Sequence, residues 1–183
     1  MKPPSLSVAV CAVALVLLQG CILQTDEPLI SDSDARLLFG AGAVKLALFQ
    51  HDPNNLGQWV PYQPAVLTVQ AEGNHYTVPD PDDPADPAKV FDLWLMPLDA
   101  THAAVEITDP SGLLYGIANQ NGKTFDLAML DCRTLISQPA AADWLIFKDG
   151  DCHPKPNRTD AKALFSALLP MMPEPGLRLV VSP

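Results

Sequence analysis

Basic side chains are scarce in this chain: 11 lysines and arginines stand against 21 aspartates and glutamates in 183 residues, a formal net charge of −10. A protein that grips a phosphate backbone needs a basic stripe, whereas Arg36, Lys45, Lys89, Lys123, Arg133, Lys148, Lys155, Arg158, Lys162 and Arg178 are scattered. Nucleic acid is therefore excluded as a partner. Histidine is sparse too, and His51, His75, His102 and His153 include no His-x-x-x-His pair. No Gly-x-Ser-x-Gly elbow accompanies them, so no residue is nominated as catalytic, and a hydrolase remains a reading only for a site assembled in three dimensions. Asp80, Asp82, Asp83 and Asp86 are the densest group of oxygen ligands, but their proline-rich loop has no central glycine and no distal glutamate. Asp149, Asp151, Cys152 and His153 read as an ordinary turn beside a cystine. Neither a metal nor a cofactor is expected.

No apolar run reaches the roughly 20 residues that cross a bilayer as a helix. What the chain has instead is the short run Val8 to Leu18 behind Met1-Lys2, the pattern of a secretory h-region. It closes on Leu18-Gln19-Gly20-Cys21, which resembles the lipobox of bacterial lipoproteins, with Gln19 in place of the small residue usual there. The resemblance implies that residues 1–20 are a signal peptide and that Cys21 becomes the first residue, with a diacylglycerol on its sulfur and an acyl chain on its new amine. Ile22 rather than aspartate follows the cysteine, which in that family implies sorting to the outer membrane, facing the periplasm. The membrane is then a partner through the lipid alone. Residues 21–35 are polar, acidic and interrupted by Pro28, and read as a flexible tether ahead of a single β-rich domain over 36–183.

Cysteine is scarce as well. With Cys11 in the leader and Cys21 acylated, Cys132 and Cys152 remain, an even pair expected to form a disulfide in an oxidising compartment. Closing a loop of that length contributes about 3 kcal/mol in the chain-entropy account.

Alternation carries the fold. Val44, Leu46 and Leu48 share a face of one strand, and a hairpin is expected over 65–78 around Glu72-Gly73-Asn74. Phe91, Leu93 and Leu95 share a face of the next strand. Val105 and Ile107 oppose Glu106, and a β-turn is expected at Asp109-Pro110-Ser111-Gly112. Asn121-Gly122 marks a tight hairpin before Phe125, Leu127 and Met129. Short strands follow at 144–147 and 177–181. A helix from about Asp160 to Leu169 presents Ala161, Leu164, Phe165 and Leu168, with Asn157 or Thr159 as its cap. The fold class is mainly β: an antiparallel meander of about nine strands with one wet face, making a closed or half-closed barrel, plus one C-terminal helix.

Trp59, Tyr62 and Trp94 are the candidate contacts to a ligand or partner, the bland reading being that they are core. Gly57-Gln58-Trp59 is similar to the Gly-x-Trp near the start of lipocalins. That resemblance spans three residues and implies a carrier of a small apolar ligand inside a barrel. The first reading is a non-catalytic binding or interaction module of the envelope, with another envelope protein as partner; the second is the carrier; the third is a cryptic hydrolase. Cys21→Ser should leave an uncleaved or soluble protein. Continued incorporation of labelled fatty acid into that variant would overturn the lipobox reading.

Overall fold

A computed structural model gives the fold of residues 23, 25 and 27–182, apart from 53–54, 81–82, 84–85, 87–88, 110–111, 149–150 and 158–159. The leader, Cys21, Asp82, Asp149 and Thr159 fall outside the described residues, as does the centre of the turn read at Asp109 to Gly112. The strands are β1 (Ala43–Asp52), β2 (Asn55–Glu72), β3 (His75–Pro79), β4 (Val90–Pro97), β5 (His102–Asp109), β6 (Gly112–Asn121) and β7 (Thr124–Met129). Next come helix α1 (Cys132–Ile136), a 3-10 turn at Pro139–Asp143, β8 (Leu145–Lys148), β9 (Asp151–Pro154), helix α2 (Ala161–Leu168) and β10 (Leu177–Ser182). Eight of these strands form a closed antiparallel barrel in the order β1-β10-β7-β6-β5-β4-β3-β2, and β8-β9 is a separate hairpin.

The period-two pattern explains the lumen. Val44, Leu46, Leu48, Leu67, Val69, Tyr76, Leu93, Leu95, Val105, Phe125 and Leu127 point inward into one apolar cluster, all less than a tenth exposed. Gly116 belongs to the same inward row, paired with Val105 and Met129. A Cβ there would meet the Ala128 carbonyl oxygen at 2.6 Å, so a hydrogen atom is what lets β6 and β7 lie this close.

The outer face of β4, β5 and β6 is not wet. Met96, Ala104, Tyr115 and Ile117 are buried beneath a cap made by α1, the 3-10 turn, β8-β9 and α2. Helix α2 is capped by Asp160, whose carboxylate accepts the Ala163 N–H at 3.0 Å, in place of the Asn157 or Thr159 expected. Its four buried residues are the four read from the sequence. The cap is stapled by the Cys132–Cys152 disulfide, with Cα atoms 5.7 Å apart.

The stretch 21–35 read as a tether also belongs to the cap where it is described. Leu23, Ile30 and Ala35 are buried, and Leu23 makes a parallel bridge to Cys152. The apolar residues spaced along that polar stretch drive it down: burying a leucine side chain yields about 1.5–3 kcal/mol, more than its acids lose at the surface.

Three further differences have local causes. β2 runs continuously through Pro61 and Pro64: an irregularity sets Tyr62 to Ala65 against Leu48 alone, which takes Pro64 off the regular ladder, while Pro61 sits at its border, paired with Phe49. The hairpin loop after β6 is Gly122-Lys123, with Asn121 already paired to Thr124 and Gly122 at φ +61°. β9, with its Cys-His-Pro sequence, has no alternation by which to be found. Gly116→Ala should cost about 1–3 kcal/mol, read as a lower urea midpoint with an unchanged slope; an unaltered midpoint would mean that β6 and β7 part without penalty.

Candidate ligand-binding site

Eight strands is the size at which a barrel is either filled by its own side chains or holds one small ligand, so the lumen decides between them. One end is plugged. Residues 36–42 cross it, starting from the Arg36 N–H bonded to the Leu95 carbonyl at 2.8 Å, and Phe39 enters the lumen. Phe39 stacks obliquely on Tyr76 (4.9 Å between centroids) and edge-on to Phe125 (4.8 Å). The Tyr76 hydroxyl accepts the Phe39 N–H at 2.8 Å and donates to the Gly40 carbonyl at 2.9 Å. Both ends of that hydroxyl are therefore spent on holding the plug, and burial raises its pKa.

At the other end, where β3 and β5 finish at Pro79 and Asp109 and β4 and β6 begin at Val90 and Gly112, the inward residues are less buried. Val78, Phe91, Ile107, Met129 and Leu177 face the lumen by register and Tyr62 packs against the same cluster, yet all remain partly exposed. Phe39 thus fills the lumen at one end, where Ala71, Leu179 and Val181 are themselves only partly buried, and the apolar walls at the opposite end are partly exposed. Beside this mouth the 80–89 loop closes on itself, with the Asp80 N–H bonded to the Lys89 carbonyl and the Lys89 ammonium 2.9 Å from Asp83.

The three aromatic candidates are not brought together. Tyr62 packs against the lumen cluster. Trp59 lies on the outer wall, between His51 (4.2 Å, edge-on) and the Arg178 guanidinium (4.3 Å), which is also bidentate to Asp126 at 2.6 and 2.9 Å. Trp94 lies on the outer face of β4, stacked on His75 at 4.3 Å and packed against the cap cluster.

Sequence reading missed Glu106. It alternates with Val105 and Ile107 as a wet-face residue would, yet it is fully buried between Trp94 and Tyr115 under the cap. Its Oε2 accepts the N–H groups of Leu29 (2.8 Å) and Ile30 (3.0 Å), pinning the N-terminal segment to the barrel wall. Its Oε1 has no hydrogen-bond partner among the described residues. Burial raises its pKa above the usual carboxylate range, against the pull of the two N–H groups. Beside it Tyr115 shares a hydrogen bond with Thr25 at 2.6 Å, and burial, then the Glu106 charge, push that phenol upward. No run of acids or helix cap marks Glu106; only a lone charged residue among apolar neighbours in mid-strand could have signalled it.

Chemistry at the histidines is limited by geometry. Asp99 and Thr101 both meet Nδ1 of His102, at 2.9 and 3.1 Å, whereas a nucleophile relay needs them on opposite ring nitrogens. Asp99 also accepts the Thr101 and His102 N–H groups, so the group clamps a turn. The Thr101 N–H above all, then the imidazole, hold Asp99 at about 2. Among the described residues no three histidine, cysteine or acidic side chains gather to hold a metal ion. An open depression of about 240 Å³ lies outside the plugged end, lined by Asp34, Arg36, Met96, Pro97 and Lys162.

A raised carboxyl pKa in the folded state gives stability that is complete below the ordinary value of 4.5 and is lost as pH rises through the folded value. Glu106→Gln, which keeps an acceptor for both N–H groups, should flatten the urea midpoint between pH about 4.5 and neutrality. Glu106→Leu strips both acceptors, costs about 2–4 kcal/mol and should speed amide exchange at Leu29 and Ile30 while Leu46 stays protected. Unchanged exchange at Leu29 and Ile30 would remove Glu106 from the role of latch. No family model, no curated protein and no solved structure matches the chain.

Proposed function

We propose that this is a lipid-anchored binding protein of the bacterial cell envelope, without catalysis, whose barrel takes a small apolar ligand at its open end. The observation that carries the ligand is the group of partly exposed apolar residues at the end away from Phe39: Val78, Phe91 and Ile107, inward by register, with Tyr62 packed on the same cluster. A stable soluble domain gains nothing by leaving inward apolar walls within reach of water, whereas a ligand gains about 25 cal/mol for each Å² it covers. Tyr62 is the sequence candidate that lines this mouth; Trp59 and Trp94 have structural contacts elsewhere. The plugged floor and open mouth support the likeness to lipocalins suggested by Gly57-Gln58-Trp59. The anchor rests on Leu18 to Cys21 and supports an outer-membrane address facing the periplasm.

Protein purified from native envelope, denatured and extracted should release an apolar molecule visible by mass spectrometry. It should also bind a fluorescent apolar probe saturably. Ile107→Trp, which fills the lumen near the mouth, should weaken probe binding by at least about tenfold, or about 1.4 kcal/mol. Val66→Ser on the outside of β2 should leave it unchanged. No released molecule together with non-saturable probe binding, or equal affinity in Ile107→Trp, would overturn the proposal.

A further inference from the structure

The depression of about 240 Å³ outside the plugged end is walled by three parts of the molecule. Asp34 and Arg36 come from the segment that leads to the plug, Met96 and Pro97 from the end of β4, and Lys162 from the first turn of α2. Met96 is buried and Pro97 half-buried, so the floor is apolar, while Asp34, Arg36 and Lys162 are exposed around it.

The chain has a net charge of −10, yet this depression gathers two bases and one acid. Elsewhere a base that stands beside an acid is bonded to it, as Arg178 is to Asp126 and Lys89 to Asp83. Here the charges are kept apart. Nη1 of Arg36 donates to the Ser33 and Ala35 carbonyls, at 2.8 and 2.6 Å, and among the described residues the guanidinium meets no carboxylate. Asp34 is drawn into its own turn: its carboxylate accepts the Ser31 hydroxyl at 2.5 Å and its N–H goes to the Ser31 carbonyl at 3.0 Å. Lys162 makes no hydrogen bond or ion pair among the described residues, and the Asp160 carboxylate near it caps α2 through the Ala163 N–H. The two carbonyl bonds hold the Arg36 guanidinium in place before any ligand arrives, which lessens the ordering that binding requires.

We infer that this depression binds a small carboxylate with a short hydrocarbon body, the carboxylate between Arg36 and Lys162 and the body on Met96 and Pro97. Charge-assisted bonds from a guanidinium and an ammonium are the strong ones for such a group. Two bases and one acid leave a single positive charge, which balances a monoanion; a phosphate brings a second negative charge toward Asp34. The site is separate from the lumen and from Cys21, and its ligand joins the plug-bearing segment, the barrel wall and the cap at one point.

The test is a titration of the full chain, isotope-labelled and at low ionic strength, with sodium propionate while backbone amides are followed by NMR. The Arg36, Met96 and Lys162 amides should shift along one saturable curve, and added sodium chloride should weaken the binding. Propionate should bind at least about threefold more tightly than formate, because the floor covers its hydrocarbon part. Lys162→Gln, at an exposed position, should weaken propionate at least about fivefold, and Asp34→Asn, which still accepts the Ser31 hydroxyl, should strengthen it. The Leu46 and Val105 amides should stay in place in both variants, showing an intact barrel. Shifts that do not saturate, an affinity unchanged in Lys162→Gln, or equal shifts with propylammonium chloride overturn the site. Tighter binding of inorganic phosphate than of propionate, or no gain in Asp34→Asn, overturns the choice of a carboxylate. Equal affinities for formate and propionate overturn the role of the apolar floor.

Discussion

Everything in this molecule depends on one pairing between distant parts of the chain. β10 lies between β1 and β7, through six residue pairs from Lys45↔Ser182 to Gln50↔Leu177 and four from Leu177↔Leu127 to Val180↔Thr124. Without it β1 and β7 are open edges and the inward apolar rows line a curled sheet that water enters from the side. With it there is a lumen, and the plug, the mouth and the outer wall acquire meaning. Arg178, near the start of that strand, extends the closure outward by its paired contacts to Asp126 and Trp59.

The barrel wall is used on both faces, and this is what gives a small domain two separate cores. The lumen cluster and the cap cluster meet across β4 to β6, where Leu95 and Val105 face one and Met96 and Ala104 the other. Glu106 is the polar exception in that wall. Its carboxylate serves the backbone of the N-terminal segment, so a buried acid determines where the start of the folded chain lies.

The meander from β4 to β7 was legible because its alternation is unbroken and because Asp109 to Gly112 and Asn121-Gly122 are local turn signals. Helix α2 was legible from the spacing of Ala161, Leu164, Phe165 and Leu168, and the cystine from the even count of cysteines left after Cys11 and Cys21 are set aside. Barrel closure was open between two outcomes because pairing β1 with β10 is a contact across most of the chain, and alternation does not name its partner. The continuity of β2 was hidden by Pro61 and Pro64, which normally end strands. The buried face of Glu106 was hidden because a strand covered by a cap and a strand facing water both read as apolar-polar alternation. Of the candidate contacts, Tyr62 is the one the fold places in the lumen; Trp59 and Trp94 were drawn in by their size, which serves packing equally well.

Closure by the first and last barrel strands has a consequence for the order of events in synthesis. A chain that emerges from its N-terminus presents β1 with a bare edge until Leu177–Ser182 follows, and the cap that shelters Leu23 is encoded just before that final strand. Neither core can therefore be completed on a partial chain. Assembly is a single late event with high contact order. Until then β1 and β7 are open edges, and the inward apolar rows of the meander face a lumen that water can enter.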